Sequence, residues 1–335
     1  MVKFLVRRLL LAIPTVLAIS ALTFISIQLP PGDFASNYLE SILGGPEGLT
    51  KVNYDRSMEE ALRKEFGLDQ PQVVQYVKWL WRIAHLDLGI SVGYGTRTPI
   101  TEVIGDKLVN TVIIAIGTIL FTWVLAIPIG IYSAVRHNTL GDHTVTFIGF
   151  LGLAIPDFLL ALSLMWLGFV WFDWDIGGLY STKYLSAPWS WGKFVDMLKH
   201  IWIPALVLGT AGTAGLIRVL RNNLLDELNK PYVVAARARG LSEWKIVLKY
   251  PVRLALNPFI STIGYLLPFM LSGSIIVSIV LSLPTVGPIL LESLLAEDLF
   301  LSSAILLALG LLTVLGTLIS DILLVILDPR IRFEN

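Results

Sequence analysis

Residues 230–258 read KPYVVAARARGLSEWKIVLKYPVRLALNP, a basic, polar stretch set between long apolar runs. The wording predicts a short Ala-rich helix, a break at Gly240 and a second helical piece. On either side the chain turns strongly apolar, over 200–220 and 258–283. A helix needs about 20 apolar residues to cross a bilayer. Those two runs meet that length, as do 4–29, 108–134, 144–172 and 302–327. A strand of a membrane barrel would be shorter and would alternate. The fold class expected is therefore all-α: a polytopic membrane protein with six transmembrane helices.

Composition agrees. Mean hydropathy is +0.74, with 55% hydrophobic and 15% charged residues, outside the range of soluble domains. Lys3, Arg7 and Arg8 stand at the start of the first run, whose apolar core is too long for a signal peptide and lacks a small-residue cleavage site. It is expected to be an uncleaved anchor with the N-terminus in the cytoplasm by the positive-inside rule. Six crossings then place 135–143, 221–257 and the C-terminal tail on the same side. Residues 218–257 carry eight Lys and Arg against three acids, and the tail adds Arg330 and Arg332. The long segment 30–107 is expected outside, since long segments cross largely regardless of charge. With no cysteine in the chain, disulfides, thiol catalysis and cysteine metal sites are excluded.

The expected organisation is an anchor helix over 1–29, an extracytoplasmic segment over 30–107 and a five-helix core over 108–335. In the external segment, Met58–Phe66 is amphipathic with Gly67 as C-cap. Pro71 opens a second helix on which Val73, Val74, Val77 and Leu80 share a face. Leu86–Gly89 and Thr96–Pro99 read as turn and loop. Trp174, Trp189 and Trp191, between the third and fourth runs, sit where an interfacial belt belongs.

Four stretches, in this order, carry a resemblance. FLVRRLLLAIPTVLAISALTFISIQLPPGDFA opens the chain and ends in Pro31-Gly32-Asp33 and its flank. FGLDQPQVVQYVKWLWRIAHLDLGIS follows at 66–91, AIPIGIYSAVRHNTLGD at 126–142 and LDPRIR at 327–332. Together they resemble the larger permease subunit of the dipeptide/oligopeptide family of ATP-binding-cassette importers. The resemblance implies a type I importer permease fold in a prokaryotic inner membrane. Its implied partners are a homologous second permease in a heterodimer, two ATPase subunits and an extracytoplasmic solute-binding protein, with the lipid bilayer around them; nucleic acid is not among them. ATP and Mg would sit on the ATPase subunits. This chain has no Gly-x4-Gly-Lys-Ser/Thr loop to cradle phosphates, so it is expected to be no enzyme itself and to bind no cofactor.

The family's coupling loop falls on the opening stretch. The general importer pattern has Glu-Ala-Ala, three residues, Gly, then a Leu-Pro pair. Aligned on Gly240, Val234 replaces the Glu, Ala235 and Ala236 are in place, and Val252-Arg253 stand where Leu-Pro would be. The resemblance therefore assigns coupling to Ala235, Ala236, Arg237, Ala238, Arg239, Gly240, Leu241 and Ser242. Locally, Asn229 is expected to cap the helix and Pro231 to fit its first turn. The small Ala235, Ala236 and Ala238 would let another surface approach, and Gly240 would take positive φ. Without the resemblance, a solvated surface helix with a Gly cap fits equally well.

Asp157 is the odd residue of the third run, expected near its middle, where a carboxylate must face protein or water. Either it lines a pathway and meets cationic groups, or it pairs with the second permease. Asp321, nearer the end of the last run, reads as a structural hydrogen-bonding group. Pro128, Gly130, Pro156, Gly264, Pro268 and Gly273 are hinges or close-packing positions, with packing favoured for most and a moving element for the fifth run. Residues 281–300 resemble a short external helix after a Pro-x-x-Gly turn, either touching a binding protein or holding the last two spans. His85, His137, His143 and His200 lack metal-ligand spacing, and no nucleophile–base constellation stands out. The function expected is a pathway-forming permease for di- or oligopeptides. Oligosaccharide or nickel import by the same machinery is the alternative. A secondary transporter, from a different class, would need an inverted repeat or intramembrane ion-coupling charges.

Overall fold

The computed structural model describes residues 2–29, 35, 39, 56–91, 98–173, 177–296 and 298–327. The Pro31-Gly32-Asp33 motif, Trp174, residues 96–97 and the tail with Arg330 and Arg332 lie outside them. The described chain is mostly helical. Among the described residues, four helices are long and apolar enough to cross a membrane, or five if one sharply bent pair counts as a single span.

The elements run as follows: α1 (Val2–Gln28), α2 (Arg56–Phe66), α3 (Gln72–Ala84), β1 (Ile90–Ser91), β2 (Thr98–Pro99), α4 (Ile100–Val135), α5 (Leu140–Ala154) and α6 (Asp157–Phe172). Then come α7 (Trp191–His200), α8 (Trp202–Leu228), α9 (Pro231–Ala238), α10 (Glu243–Lys249) and α11 (Pro251–Ala255). The last are α12 (Asn257–Val280), α13 (Val286–Leu295) and α14 (Leu299–Leu327). The two short strands form one antiparallel pair, Ile90 opposite Pro99 and Ser91 opposite Thr98, which the apolar pattern alone does not announce.

The third apolar run is not one helix. Pro156 lacks an amide proton and drives the preceding residue out of the helical region. Ile155 takes φ −86° and ψ 122°, and α5 and α6 meet at a bend of 98°. Asp157 therefore sits in the first turn of α6, beside a break, rather than in the middle of a continuous span.

Two compact units emerge, one formed by Met1–Leu9, Thr111–Pro284 and Thr313–Asn335, the other by Leu10–Asn110 and Thr285–Leu312. The first unit has a core at each end of its helices. One core joins Ile114 and Ala115 of α4, Ala161 of α6, Met197 of α7, Val207 of α8 and Val277 of α12. The other joins Ala126 and Ile131 of α4, Leu220 and Leu224 of α8, Val247, Val252 and Phe259. So α4 and α8 run the same way between the cores, and α12 returns. Of the α8 window, 56% is buried, against 11% for α1; α8 is the axis of its unit. A Cβ on Gly130 would stand 2.9 Å from the Leu220 side chain, so this glycine serves close packing of α4 on α8. Gly264 likewise faces the Thr317 backbone at 3.3 Å. At the chain's start Arg8 pairs with Asp321 at 3.0 Å, an ion pair rather than the hydrogen bond expected of Asp321.

In the second unit, Gly67 caps α2 with φ +69° and Gly89 turns the chain with φ +89°. Asp87 accepts from Arg82 Nε at 2.8 Å and from the Gly89 amide at 3.0 Å; the Arg82 guanidinium holds its carboxyl below the usual range, against the opposing effect of burial. Asp298 caps α14 through the Leu301 amide and receives the Ser91 hydroxyl at 2.6 Å.

Candidate functional site

The candidate coupling segment is α9, its turn and the two short helices after it. Pro231 occupies the first turn of α9, where its missing donor costs nothing. The cap position is Lys230, with no side-chain cap bond. Asn229 does not cap α9: it ends α8, and its Nδ2 donates back to the Leu225 carbonyl at 3.0 Å. Gly240 has φ +74°, and the Gly240 and Leu241 amides donate to the Arg237 and Ala236 carbonyls at 2.9 and 3.4 Å. That is a left-handed glycine closure of a helix end. Nothing lies within 4 Å of a Cβ built at Gly240, so backbone conformation alone demands glycine there.

Ala235, Arg237, Ala238, Arg239, Gly240, Leu241 and Ser242 are exposed together on one small surface. Ala236 is not among them. It is buried with Val233 and Ile246 in a miniature core between α9 and α10, so its small side chain serves that packing. Arg237 spans the turn to Glu243, Nε to Oε1 at 2.8 Å; both are well exposed, and the pair contributes little. Around the surface stand two exposed apolar side chains: Val234, which replaces the Glu of the importer pattern, at 56% exposure, and Trp244, which sequence reasoning did not single out, at 65%. Beside them a groove of about 770 Å³ is lined by Tyr232, Ala235, Arg239, Leu241, Tyr250 and Arg253 among others.

The inner face of the segment is fixed. Val247, Val252 and Ala255 are buried in the core that holds Leu220, Leu224 and Phe259. Arg253, one of the departures from the importer pattern, donates to the Leu327 and Ile326 carbonyls at 2.7 and 3.2 Å. It thereby caps the end of α14, where a cation suits the helix dipole.

A second anchor was not foreseen. Asp142, 1% exposed, accepts from Arg221 Nε at 2.9 Å and Nη2 at 2.8 Å. It also accepts from the Ser133 hydroxyl and from the Asn138 amide at 2.9 Å. The Arg221 guanidinium, then the Ser133 and Asn138 donors, hold this carboxyl well below the usual carboxylate range despite burial. The pair ties the α4–α5 corner to the part of α8 that leads into the segment. Asp142 and Arg221 are 79 positions apart, so no local signal announces them.

Asp157 is partly exposed and has no hydrogen-bond or ion-pair partner among the described residues. Nor do the described residues bring together three or more His, Asp or Glu able to hold a metal ion.

Comparison with known proteins then decides the family. The model of the binding-protein-dependent transport system inner membrane component matches residues 126–333, and that of the N-terminal membrane component of such systems matches 1–115. The chain belongs to this family of inner membrane components. The oligopeptide transport system permease protein AppB of Bacillus subtilis is 33% identical over 333 residues, covering 99% of this chain and 100% of that one. The dipeptide transport system permease protein DppB of Escherichia coli K12 is 30% identical, with 100% of both chains covered. A putative peptide transport system permease of Brucella abortus is also 30% identical over both full lengths. This inner membrane component is accordingly a multi-pass membrane protein, and α9–α11 form the exposed loop between its α8 and α12.

The Asp142–Arg221 pair generates a prediction with a sign. A carboxyl held low in the folded state stabilises it above the unfolded value, about pH 3.9, and the stabilisation fades as pH falls below that. Arg221→Met should cost on the order of 3 kcal/mol at pH 7, since it strands a buried carboxylate. Asp142→Asn should lose stability at pH 7, with its difference from wild type shrinking below about pH 4. Thermal melts of the detergent-purified protein against pH check both.

Proposed function

We propose that the chain is one of two homologous membrane subunits of a peptide importer and that α9–α11 transmit force from ATPase subunits. End-to-end similarity to a permease named for oligopeptide transport, at 33% identity over 333 residues, carries the reading. In this reading α1, α4, the α5–α6 pair, α8, α12 and α14 are six crossings, with both termini and α9–α11 in the cytoplasm. A solute-binding protein delivers peptide from outside. Two ATPase subunits, which hold ATP and Mg, seat against Ala235–Ser242 and the neighbouring Val234 and Trp244.

The chain's own part is mechanical. Displacement of α9 passes through Val233, Ala236 and Ile246 to α10. From α10 it passes through Val247 and Val252 to Leu220, Leu224 and Phe259, at the ends of α8 and α12. Arg253 extends the linkage to α14. Drawing the loops of the two membrane subunits together would thus reorient several spans at once and open the pathway outwards; release would reset it. Asp157, without a partner among the described residues and beside a broken helix, faces that pathway and favours cationic peptide groups, because a carboxylate in a poorly hydrated passage attracts cations more strongly than in bulk water.

Gly240→Val should uncouple the machine. A left-handed turn costs an ordinary L residue about 1–2 kcal/mol, and a β-branched one is least tolerated there. ATPase subunits should bind the Val variant weakly or hydrolyse ATP without transport, whereas Gly240→Asn, which tolerates positive φ, should retain uptake. Wild-type assembly and uptake in Gly240→Val would remove the coupling assignment. Asp157→Asn should leave assembly intact and slow cationic peptides more than neutral ones in vesicle uptake. Equal slowing with a weakened complex would instead make Asp157 a contact to the partner permease.

A further inference from the structure

Helix α3 lies in the segment expected to be wholly extracytoplasmic, yet its surroundings place it at membrane depth. The Tyr76 hydroxyl is 2.8 Å from the Ser20 hydroxyl and 3.3 Å from the Leu17 carbonyl. The Phe24 ring stands 5.3 Å from Tyr76 and 5.7 Å from Trp79. Gln28 reaches Gln75 at 3.4 Å. All of these α1 residues but Gln28 fall within the apolar span Val6–Ser26. Ser20 lies six residues from the end of that span, about 9 Å along the axis at 1.5 Å per residue. The Tyr76 hydroxyl is therefore well below the level at which α1 leaves the apolar layer, and the α3 backbone lies near the level of Phe24.

The other faces of α3 match such a position. Val73, Val77 and Trp81, at i, i+4 and i+8, are 73%, 58% and 69% exposed. They form a stripe turned away from the residues that contact α1. Lys78 and Arg82 lie between the two faces, and Arg82 is engaged by Asp87 at 2.8 Å. A helix with one apolar stripe, one side against a span and its cations in a third sector is built for the headgroup–acyl boundary, where such helices sink about 5–10 Å. In water the stripe would leave two valines and a tryptophan uncovered; at this depth lipid covers it.

We propose that α3 is an interfacial helix embedded in the leaflet at the carboxyl end of α1, with Val73, Val77 and Trp81 against lipid acyl chains and Tyr76 locked to α1. The proposal rests on α1 spanning the bilayer, and it goes beyond the transport reading, which does not require it. The segment 30–107 is then pinned to the membrane surface through α3, and α1, little covered within its own chain, gains a second helix at its outer half.

The test is spin-label accessibility in single-cysteine variants of this chain, which has no cysteine of its own, assembled with partner subunits whose own cysteines are replaced. The full transporter complex, without binding protein, is placed in phosphatidylcholine–phosphatidylglycerol vesicles. Labels at positions 73, 77 and 81 should favour oxygen over a water-soluble nickel chelate several-fold more than a label at exposed Lys64 of α2. Nickel access at 73, 77 and 81 equal to that at 64 would overturn the proposal by placing the stripe in water. Protection from both reagents would overturn it in favour of a protein cover. Labels at Leu22 and Ile25, exposed on α1, separate the two layers of argument. Oxygen-rich values there with a water-exposed α3 defeat only the interfacial helix, whereas nickel access there defeats the membrane crossing of α1 as well.

Discussion

The contact on which the coupling account depends is the packing of Val247, Val252 and Ala255 against Leu220, Leu224 and Phe259. Each fully buried aliphatic side chain contributes roughly 1.5–3 kcal/mol, whereas the exposed Arg237–Glu243 pair contributes well under about 1 kcal/mol. The segment is therefore held by its apolar inner face, and its outer face, where Val234 and Trp244 stand among the charged side chains, is exposed. A loop tethered only by surface ion pairs would bend when pushed. One that shares a close-packed core with the ends of α8 and α12 moves with them, because packed interiors have low compressibility.

Asp142 and Arg221 add direction to that rigidity. Buried ion pairs often bring little net stability, but losing one partner is costly, so such a pair fixes one arrangement of its elements more than it stabilises them. Here it fixes the α4–α5 corner against the α8 helix just ahead of the loop. Arg253 does the same for α14 with neutral acceptors, using the unpaired carbonyls that every helix end leaves. Three different devices, apolar packing, a buried ion pair and a guanidinium cap, thus converge on one end of the helices.

The apolar runs were legible because crossing a bilayer imposes a length and a composition that no soluble helix needs. The turn at Gly240 was legible because a glycine after an Ala-rich helix suits a left-handed helix end, and it does take φ +74°. The break at Ile155–Pro156 was obscured because hydropathy averaged over a window cannot see one missing amide proton. The inward turn of Ala236 was not legible, because the alternation of faces on a helix of eight residues is set by its neighbours, here Val233 and Ile246. Asn229 suits a cap in isolation, but α8 extends far enough to claim it. Asp142 with Arg221 and Arg253 with α14 were illegible, since partners so distant in the chain leave no periodic trace.

The central claim is that the surface around Gly240 faces the cytoplasm and seats an ATPase subunit. Cysteine placed at Ser242, exposed at the turn, tests it most directly in native membranes. A bismaleimide should cross-link that cysteine to an ATPase subunit, and a membrane-impermeant maleimide applied from outside should leave it unlabelled until the cells are opened. Labelling from outside, with no cross-link to an ATPase, would contradict the account.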